Sequence, residues 1–246
     1  MTGLYAYAFL PAGTELPDVR GVGPDGPPVR QVSRDGLAAL VSDVDTARLT
    51  GLFDEDVTED SELARWARTH DSVIRAAFAC AAVLPFRFGT VLRDSAAADR
   101  LLAERYDMAL TMLAHLRDRV EWGVRVHDDS PAPSDDARAT DRTSGTAYLA
   151  SRRNRLRAVD EHRARARDVA ADVRDELAAW AADVVDRPRG ALLDLAVLVD
   201  RSAVDEFHAR AGQLATRVAE AGLVLDVTGP WPPYSFARTA PEVADA

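Results

Sequence analysis

The residues of this chain whose types could support chemistry are few and scattered. The histidines His70, His115, His127, His162 and His208 fall at no metal-ligating interval such as H-x-x-x-H. The lone thiol, Cys80, follows His70 by ten residues within one helical pattern. Ten residues span about 15 Å of helix axis, beyond hydrogen-bond reach, so no thiolate–imidazole pair is expected. Cys80 is expected instead as a small buried thiol, and the helical histidines as half-buried or solvated. The hexad GVGPDG at 21–26 matches G-x-G-x-x-G, but Pro24 lies inside it and Pro27-Pro28 follow, so no helix opens to receive a pyrophosphate. The sequence has no lysine, which excludes the phosphate-binding G-x-x-x-x-G-K-[ST] loop. Acidic runs such as Asp54-Glu55-Asp56 and Asp135-Asp136 stand in polar stretches where solvated charge is the default. No catalytic set, metal site or cofactor cradle is expected.

Two other segments carry residues whose placement asks for a reason. VLPFRFGTVL (83–92) sets Arg87 between Phe86 and Phe88, with Pro85 before and Gly89 after. If extended, it places Leu84, Phe86 and Phe88 on one face and Pro85, Arg87 and Gly89 on the other. Pro85 favours an edge, and Gly89 marks a bulge or a close backbone approach. Arg87 is then either a structural fork tying carbonyls or a loop carboxylate, or a contact point for another chain. TGPWPPYSFA (228–237) combines three prolines with Trp231, Tyr234 and Phe236. Such a run is expected to be non-helical, on an extended polyproline-like path. Its aromatics cover either the chain's own helices or a partner site.

The elements that must position these segments can be read from period. LYAYAFL (4–10) is a strand, and VRQVSRDGLAALVSDVD is a hairpin turning at Arg34-Asp35-Gly36. Residues 61–80 recur at helical spacing after the candidate caps Asp60 and Ser61, and a second helix spans roughly 96–119. VEWGVRVHD begins a new unit with a strand. A long helical pattern runs from Tyr148 to Val184 and is expected to end at Arg187-Pro188-Arg189-Gly190. A strand at 191–200, a helix ending at Gly222 and a last strand LVLDVTG complete a β-α-β-α-β order. The fold class is α+β, with two mostly antiparallel sheets each carrying helices on one face. The domains are residues 1–119 and 120–228, the second with a flexible loop at 128–142, followed by a Pro/aromatic tail at 229–246.

Composition narrows the function. With 246 residues, 47% hydrophobic and 28% charged, the chain is a globular protein of two ordinary domains. A formal net charge of −10 argues against a nucleic-acid binder. The N-terminus lacks a basic region and its apolar run is cut by Pro11, so it does not read as a signal peptide. No stretch approaches the roughly 20 apolar residues needed to span a bilayer. One cysteine permits no internal disulfide, and a cytoplasmic location is expected.

Taken together, LYAYAFL, VLPFRFGTVL, SGTAYLASRR (144–153) and TGPWPPYSFA resemble the gas vesicle protein F/L family along nearly the whole chain. The resemblance implies a two-domain α+β fold whose C-terminal half is ferredoxin-like. It also implies a non-enzymatic accessory role in gas vesicle assembly, through binding the small hydrophobic shell protein and other accessory proteins. Phe86, Arg87, Phe88 and Gly89 with Trp231, Tyr234 and Phe236 are the candidate partner-binding residues. The competing readings are a small hydrolase, for which no convergent side chains are present, and a ligand-sensing ferredoxin-like module, which requires a polar-lined pocket.

Overall fold

The computed structural model describes residues 2–53, 58–128, 145–187 and 190–237, with the side chains of 145–151 excepted. The expected loop at 128–142, apart from Asp128, and the acidic runs 54–56 and 135–136 lie outside the described residues. The chain divides into two compact units. One holds the residues up to Glu121 together with those from Pro230, and the other holds Trp122–Gly229.

In the first unit, β1 (Thr2–Pro11), β2 (Arg30–Arg34) and β3 (Leu37–Asp45) form an antiparallel sheet in the order β2-β3-β1. The β2–β3 hairpin turns on Asp35 and Gly36, both at positive φ (46° and 89°). This is the backbone that a two-residue Asp-Gly loop supplies, because its twist matches that of the strands. Helix α1 (Thr46–Leu52), absent from the sequence reading, starts where the Asp45 carboxylate accepts from Ala47 N. Helix α2 (Glu62–Cys80) starts as expected at Ser61, whose Oγ accepts from Ala64 N at 3.2 Å. VLPFRFGTVL then supplies the two-residue strands β4 (Leu84–Pro85) and β5 (Val91–Leu92), both paired with β1. Helix α3 (Ser95–Leu116) is capped by Asp94.

Residues 3–10 of β1 are all buried, so both faces of this sheet are covered rather than one. A bulge between Ala6 and Ala8 turns Tyr5, Tyr7, Ala8 and Leu10 to the same side. There they join Trp66, Val73, Ile74 and Ala77 of α2 and Leu49 and Leu52 of α1 in one core. Phe9 lies outside that cluster. Helix α3 packs along the strands of the same sheet.

The second unit is built on a four-stranded sheet in the order β7-β8-β6-β9. Its strands are β6 (Arg119–His127), β7 (Asp183–Asp186), β8 (Leu193–Asp200) and β9 (Val224–Trp231). Its helices are α4 (Gly145–Trp180) and α5 (Val204–Glu220), giving the succession β-α-β-β-α-β. Strand β7 was missed because Val184 continues the 3.6-residue pattern. Helix α4 in fact stops at Trp180, short of the expected end at Arg187. The backbone then pairs Val184 with Val197 and Val185 with Ala196. Arg187 follows the strand rather than a helix. Its guanidinium reaches Asp194 at 2.8 Å and Leu195 O at 2.9 Å. Among the described residues, no helix is long and apolar enough to cross a membrane.

Candidate partner-binding site

The site is built on β1, because both motif segments are anchored to it or to its neighbours. Between the pairs Ala8–Pro85 and Tyr5–Val91, two residues of β1 face five of the motif, 86–90. The surplus leaves the sheet edge as a turn, with Thr90 N donating to Arg87 O at 3.2 Å. Gly89 occupies its third position at φ +86°, the conformation a type II turn requires there. The segment is therefore not extended throughout, and the expected shared face of Phe86 and Phe88 does not form. Phe86 packs on Phe9 at 4.7 Å between ring centroids. Phe88 lies in the α2-facing cluster, 5.7 Å from His70, 6.2 Å from Tyr5 and 6.1 Å from Phe53. Arg87 is exposed at the tip.

A polar network in the core holds the turn in place. Phe86 N donates to Tyr7 O and Ala6 N to Thr90 O, which clamps both ends. Gly89 N donates to Tyr5 Oη at 2.9 Å, and Tyr5 Oη lies 3.0 Å from His70 Nδ1. His70 also bonds the Phe86 backbone. The Phe86 amide is already engaged with Tyr7, so the imidazole donates to the Phe86 carbonyl. A neutral tautomer with its proton on Nε2 satisfies every group: Gly89 N–H to Tyr5, Tyr5 O–H to Nδ1, and Nε2–H to Phe86. Burial pushes the His70 pKa down to about 4, against the weaker raising effects of the Phe86 bond and Asp71. The expectation of a half-buried or solvated histidine thus fails at His70, which is 6% exposed. Cys80 is corrected in the opposite sense. It is exposed at the end of α2, with its thiol donating to Ala76 O.

The C-terminal segment reaches the same unit. Strand β9 runs on through Pro230 to Trp231, and after Pro232-Pro233 the chain forms a helical turn, α6 (Tyr234–Ala237). The non-helical expectation fails there because proline is favoured just before or within a first helical turn, where its missing N–H has no partner to lose. Ala237 N closes the turn on Pro233 O at 3.1 Å. Glu121, only 2% exposed, accepts from Ser235 N at 2.8 Å and from Ser235 Oγ at 2.7 Å. Tyr234 donates its hydroxyl to Asp71 of α2, the neighbour of His70. Burial, then the Asp71 carboxylate, raises the phenol pKa. Arg75, paired with the same carboxylate, stands 4.7 Å over the Trp231 ring. Phe236 is 1% exposed, and α6 packs against β4.

Within the first unit, then, the structure brings the two segments together around β4 and α2. Arg87 is exposed, Phe86, Phe88, Trp231 and Tyr234 are half-buried, and Phe236 is buried. Sequence reasoning missed Phe53, which is 55% exposed and whose ring lies beside the turn. It also missed Tyr5, His70, Asp71, Arg75, Glu121 and Ser235, which position it. The two tyrosine hydroxyls in an otherwise apolar strand were the available signal, because buried phenols require partners. Among the described residues, no group of three or more His, Cys, Asp or Glu side chains could hold a metal ion.

Comparison with known proteins assigns this architecture. Residues 3–238 match the family model described as gas vesicle synthesis protein GvpL/GvpF. Gas vesicle protein L of Streptomyces sp. (strain CB03234) is 34% identical, over 97% of this chain and 94% of its own. Gas vesicle protein F of the same strain is 33% identical, over 88% and 90%. The crystal structure of GvpF from Anabaena sp. PCC7120 superposes with a TM-score of 0.67 at 19% identity, covering 96% of each chain, and so shares the fold. GvpF from Microcystis aeruginosa does so with a TM-score of 0.63, also at 19% identity, over 96% and 98%. The mixed α+β fold and the match along nearly its whole length establish that the chain belongs to the GvpL/GvpF family of gas vesicle proteins.

Proposed function

We propose that this chain is a non-catalytic assembly factor that binds the small hydrophobic gas vesicle shell protein and other accessory gas vesicle proteins, and that it resides at the gas vesicle. The observation that carries the reading is the edge of the first sheet. There a charged and an aromatic side chain, Arg87 and Phe53, are exposed beside a turn whose backbone is fixed by buried groups. An exposed apolar surface next to a cation suits a partner that is itself apolar and prone to aggregate, and a pre-fixed turn lowers the ordering cost of binding. Arg87, Phe53, Phe88 and Trp231 make the contact, while Phe86, Gly89, Tyr234 and Phe236 shape the surface.

The test is co-purification of the tagged chain with the shell protein, comparing wild type with Arg87→Glu and Phe53→Ser. We expect both variants to keep the native melting temperature and to lose most retention. Retention equal to wild type in both would reject this surface as the contact. Loss of folding in Arg87→Glu would assign the arginine a structural role instead.

A further inference from the structure

Helix α4 buries Ala166, Ala170, Val173 and Leu177 in the second unit. These residues follow one another at alternating steps of four and three, the spacing of a coiled-coil seam. The same register continues without a break towards the start of the helix, through Arg163, Val159, Leu156 and Arg152. There the seam is uncovered. From 152 to 158 every residue is exposed, and up to 165 only Val159 and His162 are half-covered. Leu156 is 58% exposed. The helix begins at Gly145, so about 25 Å of it precedes His162, which bonds Asp128 at 2.9 Å.

This arm is strongly basic. Residues 152–167 contain seven arginines against Asp160 and Glu161, an excess of five positive charges on a chain whose net charge is −10. At 3.6 residues per turn, Arg153 and Arg155 flank Leu156 and Val159 on opposite sides, while Arg152 and Arg163 stand within the seam. Two such arms do not suit each other, because arginine would meet arginine both in the seam and along its rims. The carboxylates further along α4 do not complement it either. Glu176 is paired with Arg210 and Arg217 of α5, and Asp172 and Asp175 fall on the side of the helix away from the seam.

We propose that the exposed seam of α4 docks an acidic amphipathic helix of another protein. Aliphatic side chains of that helix pack on Leu156 and Val159, and its flanking carboxylates pair with Arg152, Arg153, Arg155 and Arg163. Because the arm is already helical, it presents these groups at low ordering cost. The aligned apolar pair favours a helix over a nucleic acid, which is held through its phosphates by charge alone. It is too small an apolar face to anchor in a bilayer. The inference concerns the second unit and stands independently of the contact proposed at Arg87.

The test is fluorescence anisotropy with the full chain at about 0.15 M salt, where exposed charges beyond the contact are screened. The probe is a labelled synthetic helix of three heptads, with Leu at the a and d positions and Glu at e and g, which repels its own copies. We expect it to bind at least about tenfold more tightly than a peptide of the same composition in scrambled order. Leu156→Glu removes an aliphatic contact and should weaken binding about tenfold or more, at an unchanged melting temperature. The triple variant Arg152→Glu, Arg153→Glu, Arg155→Glu should lose the Glu helix and bind instead a helix with Lys at e and g, an exchange that a merely structural role of these arginines would not produce. Equal binding of ordered and scrambled peptides, or a Leu156→Glu variant that binds like wild type, would overturn the proposal. So would tighter binding of single-stranded RNA or of phosphatidylserine vesicles than of the Glu helix.

Discussion

At the scale of single residues, the decisive feature is a histidine kept neutral by burial. A base whose pKa is about 4 when folded and near 6.5 when unfolded takes up its proton more readily in the unfolded chain. Its contribution to stability is therefore complete above about pH 6.5, falls as pH drops towards about 4, and then levels, a loss on the order of 3 kcal/mol. Chemical denaturation from pH 7 to 4 should show this slope, and His70→Gln should flatten it, in spite of a lower stability at pH 7. Tyr5→Phe removes the hydroxyl that joins Gly89 N to His70 Nδ1 and leaves both without that partner. The expected cost is about 1–3 kcal/mol in urea unfolding. Gly89→Ala places a Cβ at φ +86° and 3.0 Å from Phe53 Cζ. We expect a loss of about 1–2 kcal/mol from the left-handed backbone alone, read as a lower melting temperature.

At the scale of elements, the edge segment and the tail each depart from a regular path for a definable reason. VLPFRFGTVL interrupts the sheet edge with a turn, which also denies another strand a continuous ladder to join. The tail ends in a helical turn that Glu121 holds through Ser235. Ser235→Ala leaves a buried carboxylate with one donor fewer, so we expect a loss of about 1–3 kcal/mol, with increased hydrogen exchange at the α6 amides as the readout. The hairpin and the N-terminus of α2 were legible in sequence because the Asp-Gly turn and the Ser61 cap are local signals. Strand β7 and helix α6 were not. A four-residue strand beside a long helix keeps the helical period, and α6 depends on Glu121, which is remote in sequence.

At the scale of the whole molecule, the C-terminal segment returns to the unit in which the chain begins. The tail belongs to the unit formed by the first 121 residues, although the second unit is completed before it in sequence. Truncation after Gly229 removes the buried Pro232, Pro233, Ser235 and Phe236 and uncovers Glu121. Hydrogen exchange should then accelerate in α2 and β1 while β8 and α5 keep their protection. Equal acceleration in both units would show that the tail's contribution is not confined to the first.

The sequence by itself determined the α+β class, most elements, and the family, because periodicity, turn chemistry and the spacing of VLPFRFGTVL and TGPWPPYSFA are properties of contiguous residues. It also singled out Arg87 and Gly89. Only the tertiary structure decided that Phe86 and Phe88 part to different neighbours, that His70 is buried while Cys80 is not, and that Phe53 stands beside the turn. It likewise decided the pairing of Tyr234 with Asp71, 163 residues apart. The parting of Phe86 and Phe88 and the burial of His70 depend on which side of β1 a residue meets and on what packs there. A one-residue bulge or a three-residue surplus across a strand pair changes the side without changing the local pattern.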